Sequence, residues 1–313
     1  MLPKGSNASL LFMKPALSEI RRAQPHLGTL VEISVSGCSR EQAHMAIESA
    51  FSAIRQVGQL MSFHDPASDL SRLNREAAFY PVRVHAWTYR VLQAAQELHH
   101  HSGGLFDVTV APVLQRLGLL PRDIDEKDVP NETHFAAVEL LPDQAVRFHD
   151  PGIKMDLGGI AKGFAVDCAM DALKQGGVLQ GMVNAGGDLY GFGNSRHEVH
   201  IRNPAHPGQM IAKVSLQNQA LATSAHYFLD AENAGFRSCM IHPKTRKPVR
   251  KMESATVCAP SCLVADALTK IVMLVAEDSE TILNRYGAHA FYVTTQGAVI
   301  LSRSWRAALT LAA

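Results

Sequence analysis

The sequence predicts an α+β protein in which mixed sheets pack against helices, as one large domain or as two intimate lobes. Three observations support this prediction. Several segments show the two-residue alternation of apolar and polar side chains that is typical of a half-buried strand. Other segments repeat apolar residues at the three- and four-residue spacing of a helix. The two kinds of segment do not alternate strictly along the chain, as they would in a parallel α/β fold.

The composition limits the classes of partner and of metal site. A chain of 313 residues can bury a sizeable core, and contents of 47% hydrophobic and 19% charged residues are typical of a globular protein. The net charge of +1, with no basic cluster, gives no electrostatic reason to expect a nucleic acid partner. The five cysteines are odd in number and form no CxxC pair, which argues against a disulfide framework and a structural zinc site.

The sequence gives no sign of a membrane segment. No apolar run approaches the ~20 residues of a transmembrane helix. The N-terminal region has one apolar cluster at residues 10–13, shorter than the core of about 7–15 residues in a signal peptide. We therefore expect a cytoplasmic protein without a transmembrane segment.

The first half of the chain is expected to start with an N-terminal arm at residues 1–25, followed by one domain at residues 26–305. A strand is predicted at residues 30–35, where apolar and polar positions alternate. Ser39 is a favourable N-cap for the amphipathic helix that follows it. A second helix is predicted at about residues 85–101, immediately before a glycine pair.

In the second half, residues 153–157 alternate like a half-buried strand, and the helix after them is expected to end at Gly176. Another apolar run covers residues 178–183. Ser261 is the predicted N-cap of a helix that is apolar nearly all round and is therefore expected to be buried. Further strands are predicted near residues 197–202, 211–217, 236–241, 255–259, 290–293 and 299–301.

A glycine-rich turn separates the strand predicted at 153–157 from the helix after it. Gly158 and Gly159 would let the backbone approach a ligand, while the helix N-terminus and the ammonium group of Lys162 would favour an anion. These features predict a phosphate-bearing ligand. The alternative is that the glycine pair forms only a tight turn, because the pattern is neither GxGxxG nor a P-loop.

Eight short motifs occur along the chain between residues 27 and 276. They are LGT at 27–29, MSFHDPASDLSRLN at 61–74, GGLFDVTVAP at 103–112, DLGGIAKGFAVD at 156–167, NAGGD at 184–188, ATSAHY at 222–227, PKTRKPV at 243–249 and APSCLVADAL at 259–268. In these motifs and in their order, the chain resembles the ApbE-type FAD:protein FMN transferases. Each motif is weak alone, but eight in the same order are highly specific.

The resemblance implies an activity, a cofactor and a set of site residues. Members of the family bind FAD, split its pyrophosphate with Mg²⁺ and transfer FMN to a threonine or serine hydroxyl of a target flavoprotein, releasing AMP. FAD, a target flavoprotein and Mg²⁺ are therefore expected here. The residues implied to bind FAD are Leu27, His64, Leu105, Phe106, Asp107, Asp156, Lys162, Ser224 and Tyr227, and those implied to be catalytic are His242 and Asp266.

The resemblance also implies a magnesium site on the apolar helix after Ser261. Its ligands would be Asp266, the backbone carbonyl of Gly159 and the hydroxyl of Thr269, which are hard oxygen donors. The family usually has a threonine four residues after the aspartate, and here that position is Lys270. The alternative is that the ammonium of Lys270 pairs with Asp266, which also satisfies a buried carboxylate and needs no metal.

Further positions depart from the family pattern. Cys239 stands where the general-base histidine is expected, so His242 becomes the candidate, although three residues along an extended chain is the opposite face. His64 stands where the family has a tyrosine. The family is usually exported, so this chain represents a cytoplasmic branch or its start codon is misplaced.

These departures leave three functions open. The first is FMN transfer to a protein, which the resemblance implies. The second is hydrolysis of FAD to FMN and AMP, with water in place of the target hydroxyl. The third is FAD binding without transfer.

Overall fold

A computed structural model of the protein describes residues 19–121, 135–206, 208–225, 240–305 and 309–311. The helices in these ranges are α1 (Arg40–Met61), α2 (Asp69–Glu76), α3 (Ala86–His101), α4 (Ala111–Arg116), α5 (Ala161–Gln175), α6 (Cys262–Val275) and α7 (Glu280–Arg285). The strands are β1 (Ile20–His26), β2 (Thr29–Ser36), β3 (Val82–Arg83), β4 (Val138–Leu141), β5 (Ala145–Phe148), β6 (Gln180–Ala185), β7 (Asp188–Phe192), β8 (His197–Arg202), β9 (Met210–Leu216), β10 (Gln219–Ala225), β11 (Met252–Ala259), β12 (His289–Thr294), β13 (Val299–Leu301) and β14 (Leu309–Leu311).

The described strands form one large sheet and two small ones. The large sheet has the strand order β1-β2-β6-β7-β10-β11-β12-β13, and the small sheets have the orders β14-β9-β8 and β3-β5-β4. Every pairing between these strands is antiparallel. Several sheets with packed helices and no closed barrel confirm the predicted α+β class.

The large sheet carries helices on one face and the β8–β9 hairpin on the other. Helix α5 packs on α1, β6 and β7, and helix α6 packs on α5, β10 and β11. Because successive side chains of a strand point to opposite faces, Ala220 and Ala222 of β10 face the helices while Leu221 faces the hairpin. The larger part of the core therefore lies beneath the helices.

The predicted helices are confirmed, and capping side chains explain where they begin. Ser39 Oγ accepts a hydrogen bond from the amide of Gln42 at the start of α1, and Ser261 Oγ accepts one from Val264 at the start of α6. Helix α5 ends at Gly176, as predicted. None of the helices in the described ranges combines the length and the apolar character needed to cross a bilayer.

The strand predicted at residues 153–157 is wrong. Alternate side chains of these residues are buried, but the residues join no sheet. The side chain of Asn74 instead exchanges two hydrogen bonds with the backbone of Met155, at 2.8 and 2.9 Å. The next amide, that of Asp156, donates to the carbonyl of Val108 at 2.8 Å. The Asn74 side chain and the Val108 carbonyl thus satisfy backbone hydrogen bonds that a partner strand would otherwise satisfy.

The boundary predicted between an arm at 1–25 and a domain at 26–305 falls within β1. Residues 20–25 pair with β2 at the edge of the large sheet. The sequence of this strand, IRRAQPH, is polar because an edge strand of this kind keeps one face in solvent, and its exposure alternates along its length. The strand predicted at 236–241 lies outside the described residues except for its last two positions.

Two reciprocal contacts hold α5 against α6. The carboxylate of Asp167 on α5 accepts hydrogen bonds of 2.8 and 2.9 Å from the amides of Cys262 and Leu263, the first residues of α6. In return, Asp266 Oδ2 on α6 accepts a hydrogen bond of 3.0 Å from the amide of Gly163 on α5. Each bond satisfies an N–H in the first turn of a helix, where no intrahelical partner exists. We call these five residues the α5–α6 clamp.

Replacing Gly163 with alanine should force the two helices of the clamp apart. The added Cβ would lie 2.2 Å from the carbonyl oxygen of Cys262 and 2.8 Å from Asp266 Cβ. We expect the free energy of unfolding to fall by about 1–3 kcal/mol, the scale of an overpacked core.

The matched control is Gly58→Ala in α1, where the new Cβ would meet only the end of the Leu27 side chain, at 3.3 Å. Alanine also favours a helix over glycine, so this variant should be neutral or slightly stabilised. Denaturant titration of both variants measures the difference, and equal stabilities would contradict the close approach described for the clamp.

Candidate active site

A cavity of about 510 Å³ opens beside the start of α5 and the middle of α6. Its walls come from the turn after α3, the segment before α5, the end of β10, residues 240–243 and α6. Many of the residues that the sequence predicts for the site meet here. Those that line the cavity are Leu105, Phe106, Asp107, Asp156, Gly159, Lys162 and Ser224.

The apolar part of the cavity is presented by the turn after α3. Gly103 and Gly104 have φ values of +60° and +83°, a conformation that glycine adopts without strain. The amide of Phe106 donates to Ser102 Oγ at 3.0 Å and fixes the turn. The apolar side chains that line this side are Leu105, Phe106, Val108, Val110, Leu114, Leu119 and Leu120, and they suit a flat aromatic ligand.

Asp107 shapes this apolar wall through its own hydrogen bonds. Its Oδ1 accepts the amide of Thr109 at 2.7 Å and the hydroxyl of the same residue at 2.6 Å. Its Oδ2 lies 3.5 Å from His99 Nδ1. His99 Nδ1 also lies 3.0 Å from the Phe106 carbonyl, so Asp107, through Oδ1, and His99 both stabilise the turn that carries Phe106.

Helix α6 carries a fully buried carboxylate, Asp266, whose partner Lys270 lines the cavity. Asp266 Oδ2 accepts from the Gly163 amide, and Asp266 Oδ1 pairs with the ammonium of Lys270. The same ammonium donates to the backbone carbonyl of Asp266 at 3.0 Å. Burial alone would raise the pKa of Asp266, but Lys270 and then Lys162 outweigh burial and lower it. Asp266 is therefore ionised.

Thr269, the third predicted metal ligand, lies beneath the cavity rather than on its surface. Its hydroxyl donates to the carbonyl of Asp266 at 2.6 Å and lies 2.8 Å from Ser224 Oγ. Thr269 is buried, whereas Ser224 lines the cavity. Of this hydroxyl pair, Ser224 is the member that a ligand can reach. Tyr227, predicted close to Ser224, lies outside the described residues.

A second ion pair lies at the start of α5. The ammonium of Lys162 pairs with Asp188, the first residue of β7. The side chain of Asp188 is 2% exposed and that of Lys162 is 34% exposed, and of the two Lys162 is the one that lines the cavity. Burial, with the nearby charge of Asp266, raises the pKa of Asp188 to about 6, although Lys162 opposes this. We call Lys162, Asp188, Asp266 and Lys270 the charged cluster.

Asp156 reaches the cavity from the segment before α5. Its Oδ2 accepts a hydrogen bond of 3.2 Å from the amide of Gly158. Burial raises the pKa of Asp156, while this hydrogen bond and the charges of His64 and Lys270 act in the opposite direction. His64 thus lies close enough to act on the charge of Asp156, although it does not line the cavity.

The amides of the glycine turn are largely engaged within the protein. Those of Gly158 and Gly163 donate to Asp156 and Asp266. The amides of Ile160 and Ala161, at the start of α5, donate to the carbonyl of Leu157 at 3.1 and 2.9 Å. Within the described ranges, the cationic groups that line the cavity are the two lysines of the charged cluster.

Five of the predicted residues in the described ranges are absent from the cavity lining: Leu27, His64, His242, Asp266 and Thr269. Leu27 lies at the β1–β2 turn, where it lines a separate, shallow pocket of about 260 Å³. His242 is absent from the cavity lining, although its neighbours Ile241 and Pro243 are part of it. A hydrogen bond of 3.0 Å from the His242 amide to the carbonyl of Lys247 closes a turn at this point. His242 Nδ1 is buried and has no hydrogen-bond partner among the described residues.

Comparison with known proteins shows which family this chain belongs to. The model of the ApbE family matches residues 27–292. The chain belongs to the ApbE family. A protein named FAD:protein FMN transferase from Haemophilus influenzae is 29% identical over 274 residues, covering 81% of this chain and 78% of that protein.

A protein of the same name from Rhodobacter capsulatus is also 29% identical, over 298 residues. This match covers 90% of the present chain but 57% of the relative, so the chain spans little more than half of that protein's length. Among solved structures, an ApbE protein from Thermotoga maritima superposes with a TM-score of 0.81 at 27% identity, covering 92% of this chain and 98% of the other.

Two carboxylates of this ApbE chain, one buried (Asp188) and one partly buried (Asp167), were not assigned a role from its motifs. Asp167 and Asp188 are the last residues of the motifs at 156–167 and 184–188. A usable signal was present, because an acidic residue next to a buried segment requires a cation or N–H partner. The identity of each partner depends on the packing of α5 and could not be read from spacing.

Proposed function

We propose that this chain is an FAD:protein FMN transferase. The observation that supports this most directly is one cavity in which an apolar wall adjoins two lysine ammonium groups. FAD has the same combination, because a flat aromatic ring system is joined to a charged pyrophosphate. The names of the two relatives from Rhodobacter capsulatus and Haemophilus influenzae support the same activity.

Transfer would proceed by displacement at phosphorus. The oxygen of a threonine or serine hydroxyl on the target protein would attack the phosphorus of the FMN half of FAD. A P–O bond forms between FMN and the hydroxyl oxygen, the bond from that phosphorus to the bridging oxygen breaks, and AMP leaves with the bridging oxygen. The hydroxyl proton passes to a base. Such a reaction depends chiefly on positioning and on neutralisation of charge.

Different lining residues would position the flavin ring of FAD and neutralise the charge of its pyrophosphate. Phe106 and Leu105 would hold the flavin ring by apolar contact. Lys162 would place its ammonium at the pyrophosphate, in an orientation held by Asp188. Burial opposes the charged form of this lysine, but Asp266 and Asp188 raise the pKa of Lys162 above its ordinary value. The ammonium therefore stays charged at neutral pH.

Two residues are candidates for the base that accepts the hydroxyl proton. His242 is the candidate from the sequence, and the residues on either side of it line the cavity. Asp156 lines the cavity directly, and burial raises the pKa of its carboxyl group, which brings a carboxylate closer to the range suited to general-base catalysis. The position of Asp156 in the lining favours it over His242.

Magnesium is the cofactor that the resemblance implies, with Asp266, Thr269 and the carbonyl of Gly159 as proposed ligands. The donors do not fit a divalent ion as they are arranged. The ammonium of Lys270 pairs with Asp266 Oδ1, and the Thr269 hydroxyl is buried against Ser224 and the Asp266 carbonyl. A metal ion would have to displace Lys270 from Asp266. Binding of FAD and acceptance of the hydroxyl proton are therefore assigned to the residues of this chain alone.

Mass spectrometry of a reaction with FAD and a flavoprotein domain distinguishes the possible functions. The domain should be one that the Haemophilus influenzae relative modifies, so that the relative provides a positive control. We expect the mass of FMN to be added to the domain with release of AMP. A domain whose acceptor hydroxyl is replaced by alanine should stay unmodified. Free FMN with AMP would instead indicate an FAD pyrophosphatase, and unchanged FAD would indicate a binding protein.

Removing the ammonium of Lys162 should weaken FAD binding selectively. Loss of a charge-assisted hydrogen bond costs about 1–3 kcal/mol, so we expect Lys162→Ala to bind FAD about 10–100-fold more weakly. Riboflavin, which has no phosphate, should bind as it does to the wild type.

Lys174→Ala is the matched control on the same helix, because the Lys174 ammonium lies over the Tyr190 and Phe192 rings and not in the cavity. Fluorescence titration of both flavins gives the affinities. Equal losses for FAD and riboflavin would rule out contact between Lys162 and the pyrophosphate.

A further inference from the structure

The ammonium of Lys270 lies against Asp266, the carboxylate among the proposed magnesium ligands. It pairs with Asp266 Oδ1 and donates to the carbonyl of the same residue at 3.0 Å. Its side chain also crosses toward the glycine turn, because a Cβ built on Gly159 would lie 3.4 Å from Lys270 Cε. A divalent ion held between Asp266 and the backbone of Gly159 would need the space that this side chain fills.

We propose that Lys270 replaces the divalent cation, so that the pyrophosphate of FAD is bound by two resident ammonium groups, those of Lys270 and Lys162. This inference rests on the proposed function, because it assigns how the same cavity holds FAD. It has one direct consequence, which is that FAD binding does not require magnesium.

The hydrogen-bond donors of Lys270 are compatible with this role. An ammonium group has three N–H donors. Asp266 takes two of them, through Oδ1 and the backbone carbonyl. Among the described residues, the third is left for a ligand. The side chain of Lys270 is 20% exposed and lines the cavity, so a phosphate oxygen can reach that donor.

The attachment of Lys270 to α6 opposes its replacement by a metal. Lys270 and Asp266 are four residues apart on one helix, so an ammonium that is only slightly displaced from Asp266 would lie close to the ion that displaced it. Like charges at that distance repel strongly when they are partly removed from water. Four amides of the glycine turn, those of Gly158, Ile160, Ala161 and Gly163, are already hydrogen-bonded within the protein, which leaves fewer N–H donors for the pyrophosphate.

The wild-type protein provides the first test. FAD is titrated into it in excess EDTA and, separately, in millimolar Mg²⁺, with flavin fluorescence as the readout. We expect the two dissociation constants to agree within about twofold. A value at least about tenfold weaker in EDTA overturns this inference and leaves the proposed function standing. No FAD binding in either buffer overturns both.

Lys270→Thr provides the second test, because it restores the family's threonine and removes the ammonium. In EDTA this variant should bind FAD about 10–100-fold more weakly than the wild type, and Mg²⁺ should restore the affinity. Lys213→Thr on β9 is the control, since Lys213 is 44% exposed and pairs with Glu198 outside the cavity. Circular dichroism confirms that each variant is folded. A folded Lys270→Thr that binds FAD as tightly as the wild type in EDTA overturns the inference.

Discussion

The close contact between α5 and α6 at Gly163 is the constraint on which the rest of the site depends. Because Gly163 has no side chain, the carboxylate of Asp266 can reach its amide, and Asp167 can reach the first amides of α6. A buried carboxylate without a partner would cost several kcal/mol. The N-terminus of each helix supplies N–H groups to the acid of the other, which fixes how the two helices sit against each other.

The same contact decides which charges face the cavity. Lys162 precedes Gly163 on α5, and Lys270 lies one turn after Asp266 on α6. The clamp therefore brings both lysines to the lining of the same cavity. Their partners, Asp188 and Asp266, are almost entirely buried, whereas the lysines are partly exposed. The arrangement hides negative charge within the protein and presents positive charge to a ligand. The packing that stabilises the helices therefore also builds the anion site.

Much of the fold and of the cavity could be predicted from the sequence, because local pattern determines helices, caps and glycine turns. The helix after Ser261 and the turn that carries Phe106 are examples. Contacts between distant residues could not be predicted in this way. Asn74 takes the place of a partner strand for residues 153–157, and the polar edge strand β1 looked like part of a loose arm. The pairing of Lys162 with Asp188 likewise follows only from the packing of α5 on β7.

Anomalous diffraction from crystals grown with FAD and Mn²⁺ would locate any divalent cation in the charged cluster directly. If Lys270 acts as the cation, pyrophosphate oxygens will lie within hydrogen-bonding distance of Nζ of both Lys162 and Lys270, about 2.7–3.2 Å. No manganese peak will then lie on Asp266. A manganese peak bound to Asp266 and the carbonyl of Gly159, with Lys270 turned away from Asp266, would contradict this account of the site.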